Sequence, residues 1–376
     1  IMKSITLYIL LISFLFNPVG AWSASQYEEL EERIRLLEKE QIPSQSSSTA
    51  TGISRSFNPA ISLNGLFLGT YNDEGNYDST KGVRTGIKVQ EVEMRLAANI
   101  DHWLRGDITL AIEGTSTIEV EEAFVEGLVF SNLSFKVGKF LSPFGKHNQL
   151  HSHAFPFIDL PVVNEEIFGE EGLNEIGFGV SYLLPTEWFS EFTFQLLKGS
   201  NTTQFNGPAG SDFAYLMRQN NLWELNDETT MELGSSYVHG KNSQPPTSVI
   251  KNKTNLVGGD LTFKWQPAGR EAYKTLIWQT EFMGSFRKQT QEGWYTLLQN
   301  QFAKQWWVQG RYSGYTIPHG PNRIDKNQWS ALLAWVPSEF SSIRLQYNHL
   351  NQAAADENQV LLQLNFSMGS HPAHKY

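Results

Sequence analysis

Histidines 147, 151 and 153 stand in one segment with the spacing His-x-x-x-His-x-His, and Glu165, Glu166, Glu170, Glu171 and Glu175 follow them. Imidazole nitrogens suit zinc, copper and nickel, and nearby carboxylates can complete a coordination shell. A second pair, His371-x-x-His374, lies near the C-terminal end. No cofactor is expected from so loose a spacing, and zinc is the alternative, with His147, His151, His153, His371 and His374 as its candidate ligands. The plain alternative is a His-bearing surface loop that binds nothing. Catalytic chemistry has weaker grounds: the chain has no Gly-x-Ser-x-Gly elbow, no phosphate loop and no His-Glu-x-x-His, so an enzyme is not expected.

The elements that must position these residues are written in a two-residue rhythm. In Val92-Glu93-Met94-Arg95-Leu96 every second side chain is apolar, and the pattern recurs in Leu104 to Glu113 and in Val360 to Phe366. Side chains alternate faces along a strand, so one face is apolar and the other polar. About sixteen such segments run between residues 57 and 368, and the weakest is 212–222. Every second connection is short, as at Asp101-His102, Ala303-Lys304 and Pro337-Ser338. The intervening ones are mostly longer, including 72–86, 141–174, 199–211, 240–253 and 317–326, while those near Glu113 and Arg287 are short. Trp103, Phe130, Trp188, Phe189, Trp265, Trp306, Trp307, Trp335 and Phe340 gather beside the short turns, as a girdle at a headgroup zone would. Together these features predict an all-β fold: a transmembrane antiparallel β-barrel of about sixteen strands, with both termini on the short-turn side. A secreted β-sandwich lectin or adhesin shares the alternation.

Alternation also sorts the charges. Glu91, Glu93, Arg95, Arg105, Asp107, Glu113, Asp260, Lys264, Arg311 and Arg344 fall on the polar, pore-lining face, where they can select ions by sign or merely pair with one another. The long segment 141–174 would be the third outer loop. Folded inward, it would form a constriction lined by Lys146, Glu165, Glu166, Glu170 and Glu171, favouring cations; lying on the surface, it would leave those carboxylates solvated.

The N-terminal region differs. Met2-Lys3, an apolar run from Ile5 to Phe16 and small residues around Ala24 read as a signal peptide over 1–24. Tyr27, Leu30, Ile34 and Leu37 form a short heptad seam, so 25–42 reads as a coiled-coil helix that needs partner copies, with a solvated spacer as the alternative. A Ser-rich linker (43–56), the barrel (57–368) and a tail (369–376) complete the organisation. The chain lacks cysteine, which removes disulfides and zinc-thiolate sites, and its formal charge of -10 argues against a nucleic-acid partner.

The layout of signal, short coiled coil, linker and barrel resembles trimeric porins of the phosphate-selective type. The stretch Phe135-Lys136-Val137-Gly138-Lys139-Phe140-Leu141-Ser142-Pro143-Phe144-Gly145 resembles their strand-and-loop entry. Phosphate preference does not carry over, because the third loop here is acidic. The tail Gly369 to Tyr376 and the His-bearing loop are similar to proteins labelled zinc-regulated outer-membrane receptors. Energy-coupled receptors need a plug domain of well over a hundred residues, which the short segment before the first strand does not supply. The resemblance implies a homotrimer in the bacterial outer membrane, in contact with its lipid, passing small solutes or ions by passive diffusion, with zinc binding or uptake as the alternative.

Overall fold

The computed structural model describes residues 59–73, 85–114, 117–243, 252–269, 273–287, 290–319, 322–352 and 356–369. The signal, heptad and linker segments and the tail histidines His371 and His374 lie outside the described residues.

Sixteen antiparallel strands close into one barrel. They are β1 (Ala60–Asn72), β2 (Gly86–Asn99), β3 (Leu104–Glu113), β4 (Thr117–Phe130), β5 (Leu133–Leu141), β6 (Asn174–Leu183), β7 (Phe189–Leu197), β8 (Ala214–Asn226), β9 (Thr229–Lys241), β10 (Lys253–Trp265), β11 (Thr275–Phe286), β12 (Gln291–Ala303), β13 (Trp306–His319), β14 (Asn322–Ser338), β15 (Ser341–Gln352) and β16 (Glu357–Gly369). Each pairs with its sequence neighbours, and β1 pairs with β16 from Ser62↔Gly369 to Asn72↔Gln359, so no sheet edge is left open.

Why this sequence gives a cylinder is visible in the register. On β12 to β16, the residues at one parity are Trp294, Leu298, Val308, Leu333, Leu345, Leu362 and Leu364, all large, apolar and exposed. Their neighbours at the other parity, among them Gln309, Arg311, Ser330, Arg344, Gln346 and Gln363, are polar and buried. A soluble protein would put the first set inside; here the outside carries it.

The 212–222 segment is a strand of the barrel as expected, β8, paired on both sides. Two expectations change at the level of elements. The connection expected over 317–326 continues the ladder instead, with His319 paired to Asn322. Within the expected girdle, Trp103, Phe130, Phe189, Trp265, Trp306, Trp335 and Phe340 are exposed. Trp307 instead shares the inward parity of Arg311 and packs against the buried core, because adjacent residues of a strand must face opposite ways.

Candidate functional site

Between β5 and β6 the chain runs through residues 142–173 into the barrel. Its neck is clasped: Ser142 N donates to Leu173 O at 2.9 Å, Asn148 Nδ2 donates to Ser142 O at 2.7 Å, and Leu173 N donates to Asn148 Oδ1 at 2.7 Å. Gly145 makes the inward turn with φ 66° and lies so close to β11 that a Cβ there would sit 1.6 Å from Glu281 Oε1. A side chain is excluded on both counts. Two short 3-10 turns follow, His147–Gln149 and Ser152–Ala154, then helix α1 (Val162–Phe168), which stops at Gly169 with φ 84°.

Apolar burial seats the loop. Phe144, Phe157, Ile158, Val163, Ile167 and Phe168 join one core with inward residues of the wall, including Leu216, Val238, Leu256, Met283, Leu297 and Leu332. Gly258 of β10 provides the space for Phe144: a Cβ at that position would meet the Phe144 ring at 2.8 Å. The half of the wall facing the loop is thus not purely polar.

Polar anchors then fix the loop across the lumen. Gly145 N donates to Ser236 Oγ of β9 at 3.1 Å, and the amides of Lys146 and His147 donate to Glu281 Oε2 of β11, each at 3.3 Å. Lys146 pairs with Glu232 and Glu166 with Lys326. Asp159 receives Arg311 Nη2 (2.7 Å), Gln328 Nε2 (2.9 Å), Gln346 Nε2 (2.6 Å) and Asn348 Nδ2 (3.0 Å), from β13, β14 and β15. Arg344 Nη1 donates to Phe155 O at 2.6 Å, and Asn365 of β16 donates to His153 O at 3.1 Å.

On the opposite wall the loop meets carboxylates. His151 Nε2 lies 3.0 Å from Glu122 Oε2, and its Nδ1 lies 3.1 Å from Glu121 Oε2 and 3.7 Å from Glu93 Oε2. His153 Nδ1 is 2.9 Å from Glu93 Oε2, and the two imidazoles stack with centroids 5.8 Å apart. Burial works to lower the His151 pKa, but Glu121, Glu122 and Glu93 outweigh it and hold it well above the usual histidine value. Beside this cluster a cavity is lined by Glu91, Glu119, Glu121, Glu170 and Glu171 together with the loop's own His147 and Asn148. Burial at the loop edge and the charges of Glu119, Glu121 and Glu170 raise the Glu171 carboxyl above its ordinary range, with Lys139 opposing them.

The pore-lining set divides in a way that spacing alone does not reveal. Glu91, Glu93, Arg95, Arg105 and Asp107 share the inner face of β2 and β3, where Arg95 Nε donates to Asp107 Oδ1 at 2.8 Å and Arg105 lies 3.4 Å from the same carboxylate. Glu113 sits opposite Glu91 in the β2–β3 register. Lys264 shares the parity of Asp260 on β10. Asp260 is held by Arg218, Nη1 to Oδ2 at 2.8 Å, and Arg311 by Asp159. In the loop, Lys146 and Glu166 are ion-paired to the wall, Glu165 lies on α1, and Glu170 and Glu171 border the cavity.

Of the candidate metal ligands, His151 and His153 come together at the acidic wall. His147 does not: it is buried against the Phe155 ring, with centroids 4.6 Å apart, and beside Tyr295. Burial and the nearby Arg311 charge push its pKa down to about 3. It is a packing residue, seated beside Glu281 of β11 and Tyr295 of β12 rather than at the β2–β4 wall.

Several important residues escaped the sequence reading. Glu121 and Glu122 are adjacent, so strict alternation assigns them to opposite faces. A register shift at Thr109/Leu110 brings both to the lumen side. Glu232, Glu281 and Arg218 are single charges in otherwise unremarkable strands, and their partners are far away in sequence.

No family model matches the chain. An uncharacterized protein of Aquifex aeolicus (strain VF5) is 27% identical over 356 residues, spanning 81% of this chain and 74% of its own length. Among solved structures, a loop-deletion mutant of OmpT, an outer membrane protein of Vibrio cholerae, superposes with a TM-score of 0.59 at 7% identity, covering 83% of this chain and 99% of its own. The anion-selective porin from Comamonas acidovorans gives 0.58 at 12% identity, over 83% of this chain and all of its own (100%). The outer membrane channel DcaP of Acinetobacter baumannii gives 0.54 at 12% identity, over 85% and 100%. With strand number, closure and topology in agreement, the chain has the fold of the outer-membrane porins and channels.

Proposed function

We propose that this barrel is a bacterial outer-membrane porin through which small solutes or ions diffuse passively, with a preference for cations, and that it is a channel rather than an enzyme. One observation carries the reading. Beside the inward loop, the cavity is edged by Glu91, Glu119, Glu121, Glu170 and Glu171, whereas Arg95, Arg218 and Arg311 are each matched to a carboxylate. A low-dielectric wall bearing one sign of charge concentrates the field and raises the local concentration of counter-ions. The exposed apolar ladder supports insertion in lipid. Export through a cleaved signal peptide and assembly as a homotrimer through the heptads complete the proposal; a solved OmpT of Vibrio cholerae is described as a trimer form.

Planar-bilayer recording under a salt gradient tests selectivity. The expected reversal potential has the cation sign, and the triple variant Glu91→Gln, Glu119→Gln, Glu121→Gln moves it toward zero. An anion-sign potential in the native protein, or an unmoved one in the variant, removes the basis for cation preference. Unboiled gels test the trimer: deleting Tyr27 to Gln41 should loosen the oligomer.

A further inference from the structure

We propose that His151, Glu121 and Glu93 form a site for one transition-metal dication of the zinc class, bridging the inward loop to the β2–β4 wall. The inference goes beyond diffusion and does not need it.

The geometry comes first. The donor atoms His151 Nδ1, Glu121 Oε2 and one Glu93 carboxylate oxygen lie within 4.8 Å of one another. Two of the edges, 3.1 Å from His151 Nδ1 to Glu121 Oε2 and 3.7 Å to Glu93 Oε2, bracket the roughly 3.3–3.6 Å edge of a tetrahedron whose ligands stand about 2.0–2.2 Å from zinc. Along these two edges the donors would need to move by only tenths of an ångström.

Tautomer and orientation come second. His151 Nε2 lies 3.0 Å from Glu122 Oε2. A ring N–H given to that carboxylate leaves the Nδ1 lone pair facing Glu121 and Glu93, the arrangement in which a carboxylate orients a metal-binding imidazole. His153, 2.9 Å from Glu93 Oε2, orients the second carboxylate in the same manner.

The third observation is where these atoms face. Glu121 Oε2 and His151 Nδ1 are both closed off from solvent and turned toward each other across 3.1 Å. Charge points the same way: Glu93, Glu121 and Glu122 converge on His151, and its imidazolium supplies a single positive charge. A dication on Nδ1 would displace that proton, so affinity falls as pH falls.

The test uses the full chain refolded in detergent, titrated with zinc by calorimetry and with cobalt by visible absorption. The expected result is one ion per chain, with a cobalt d–d spectrum of low coordination number. His151→Ala and Glu121→Gln should each weaken binding by about tenfold or more, while His371→Ala/His374→Ala should retain it. A heat-modifiability gel confirms that each variant is a folded barrel. Absence of saturable binding overturns the proposal, as does binding lost only in the tail variant or unaltered in both His151→Ala and Glu121→Gln. Neither readout involves conductance, so failure of the channel reading and failure of this site are separable.

Discussion

Replacing Asp159 by alanine tests whether the loop is held as the geometry indicates. This carboxylate receives four side-chain hydrogen bonds from three strands, and Arg311, with a side chain 1% exposed, is its ionic partner. Removing one member of a fully buried pair costs about 3–5 kcal/mol, because the survivor keeps its desolvation without its counter-charge; here Arg311 is buried but Asp159 is 28% exposed, which lowers the cost. Arg311 retains the Asp159 backbone carbonyl, Gln328 and Ser330, and its guanidinium still lies 4.6 Å from the Phe157 ring centroid. The lower end, about 3 kcal/mol, is therefore the expected loss. At about 1.4 kcal/mol per decade, docking weakens by roughly a hundredfold. The readouts are single-channel current and limited proteolysis. Asp159→Ala should show larger current fluctuations and cleavage between residues 142 and 173, while Asp227→Ala in a short turn should match the parent. Identical current noise and protease resistance in Asp159→Ala would refute the claim that this contact secures the loop.

Other outcomes follow from the same contacts. The raised His151 pKa ties loop docking to pH: its contribution is fully present below the ordinary histidine value and is lost as pH rises through the higher folded value, among Glu93, Glu121, Glu122 and His153. In metal-free buffer, protection of the loop amides, corrected for the intrinsic base-catalysed rise in exchange, should fall at alkaline pH, and His151→Gln should abolish that fall in protection. Gly258→Val should displace Phe144, costing about 1–3 kcal/mol of loop docking while leaving a heat-modifiable barrel, as exchange of residues 142–173 would report. Leu298→Arg, on the exposed face of β12, should destabilise the folded barrel in lipid by about 2–4 kcal/mol, measured by denaturant titration in liposomes; no change would contradict burial of that face in hydrocarbon.

The cylinder was legible in the sequence because its code is local. Leu362, Gln363 and Leu364 announce their faces by parity, and a short pair such as Ala303-Lys304 announces a hairpin without reference to distant residues. The 317–326 segment misled because its turn residues, Pro318, Gly320 and Pro321, outweighed a ladder that continues through Ile317↔Ile324. The loop's seat was less legible. Inward Leu216, Leu256 and Leu297 carry the same residue type as lipid-facing leucines, and only the arrival of Phe144, Val163 and Phe168 distinguishes them. His151 and His153 stood out by composition, but Glu121 and Glu122 joined them only through a register shift that parity does not encode.

The bonds of the loop reach β2, β4, β9, β11, β13, β14, β15 and β16, and the pair Asn365–His153 spans 212 residues of sequence. Partners so distributed do not exist as a surface until the last strand has joined the first. The strut inside the tube is thus fastened by contacts of the longest range, the kind slowest to form, and a wall closed without it would enclose a wider bore.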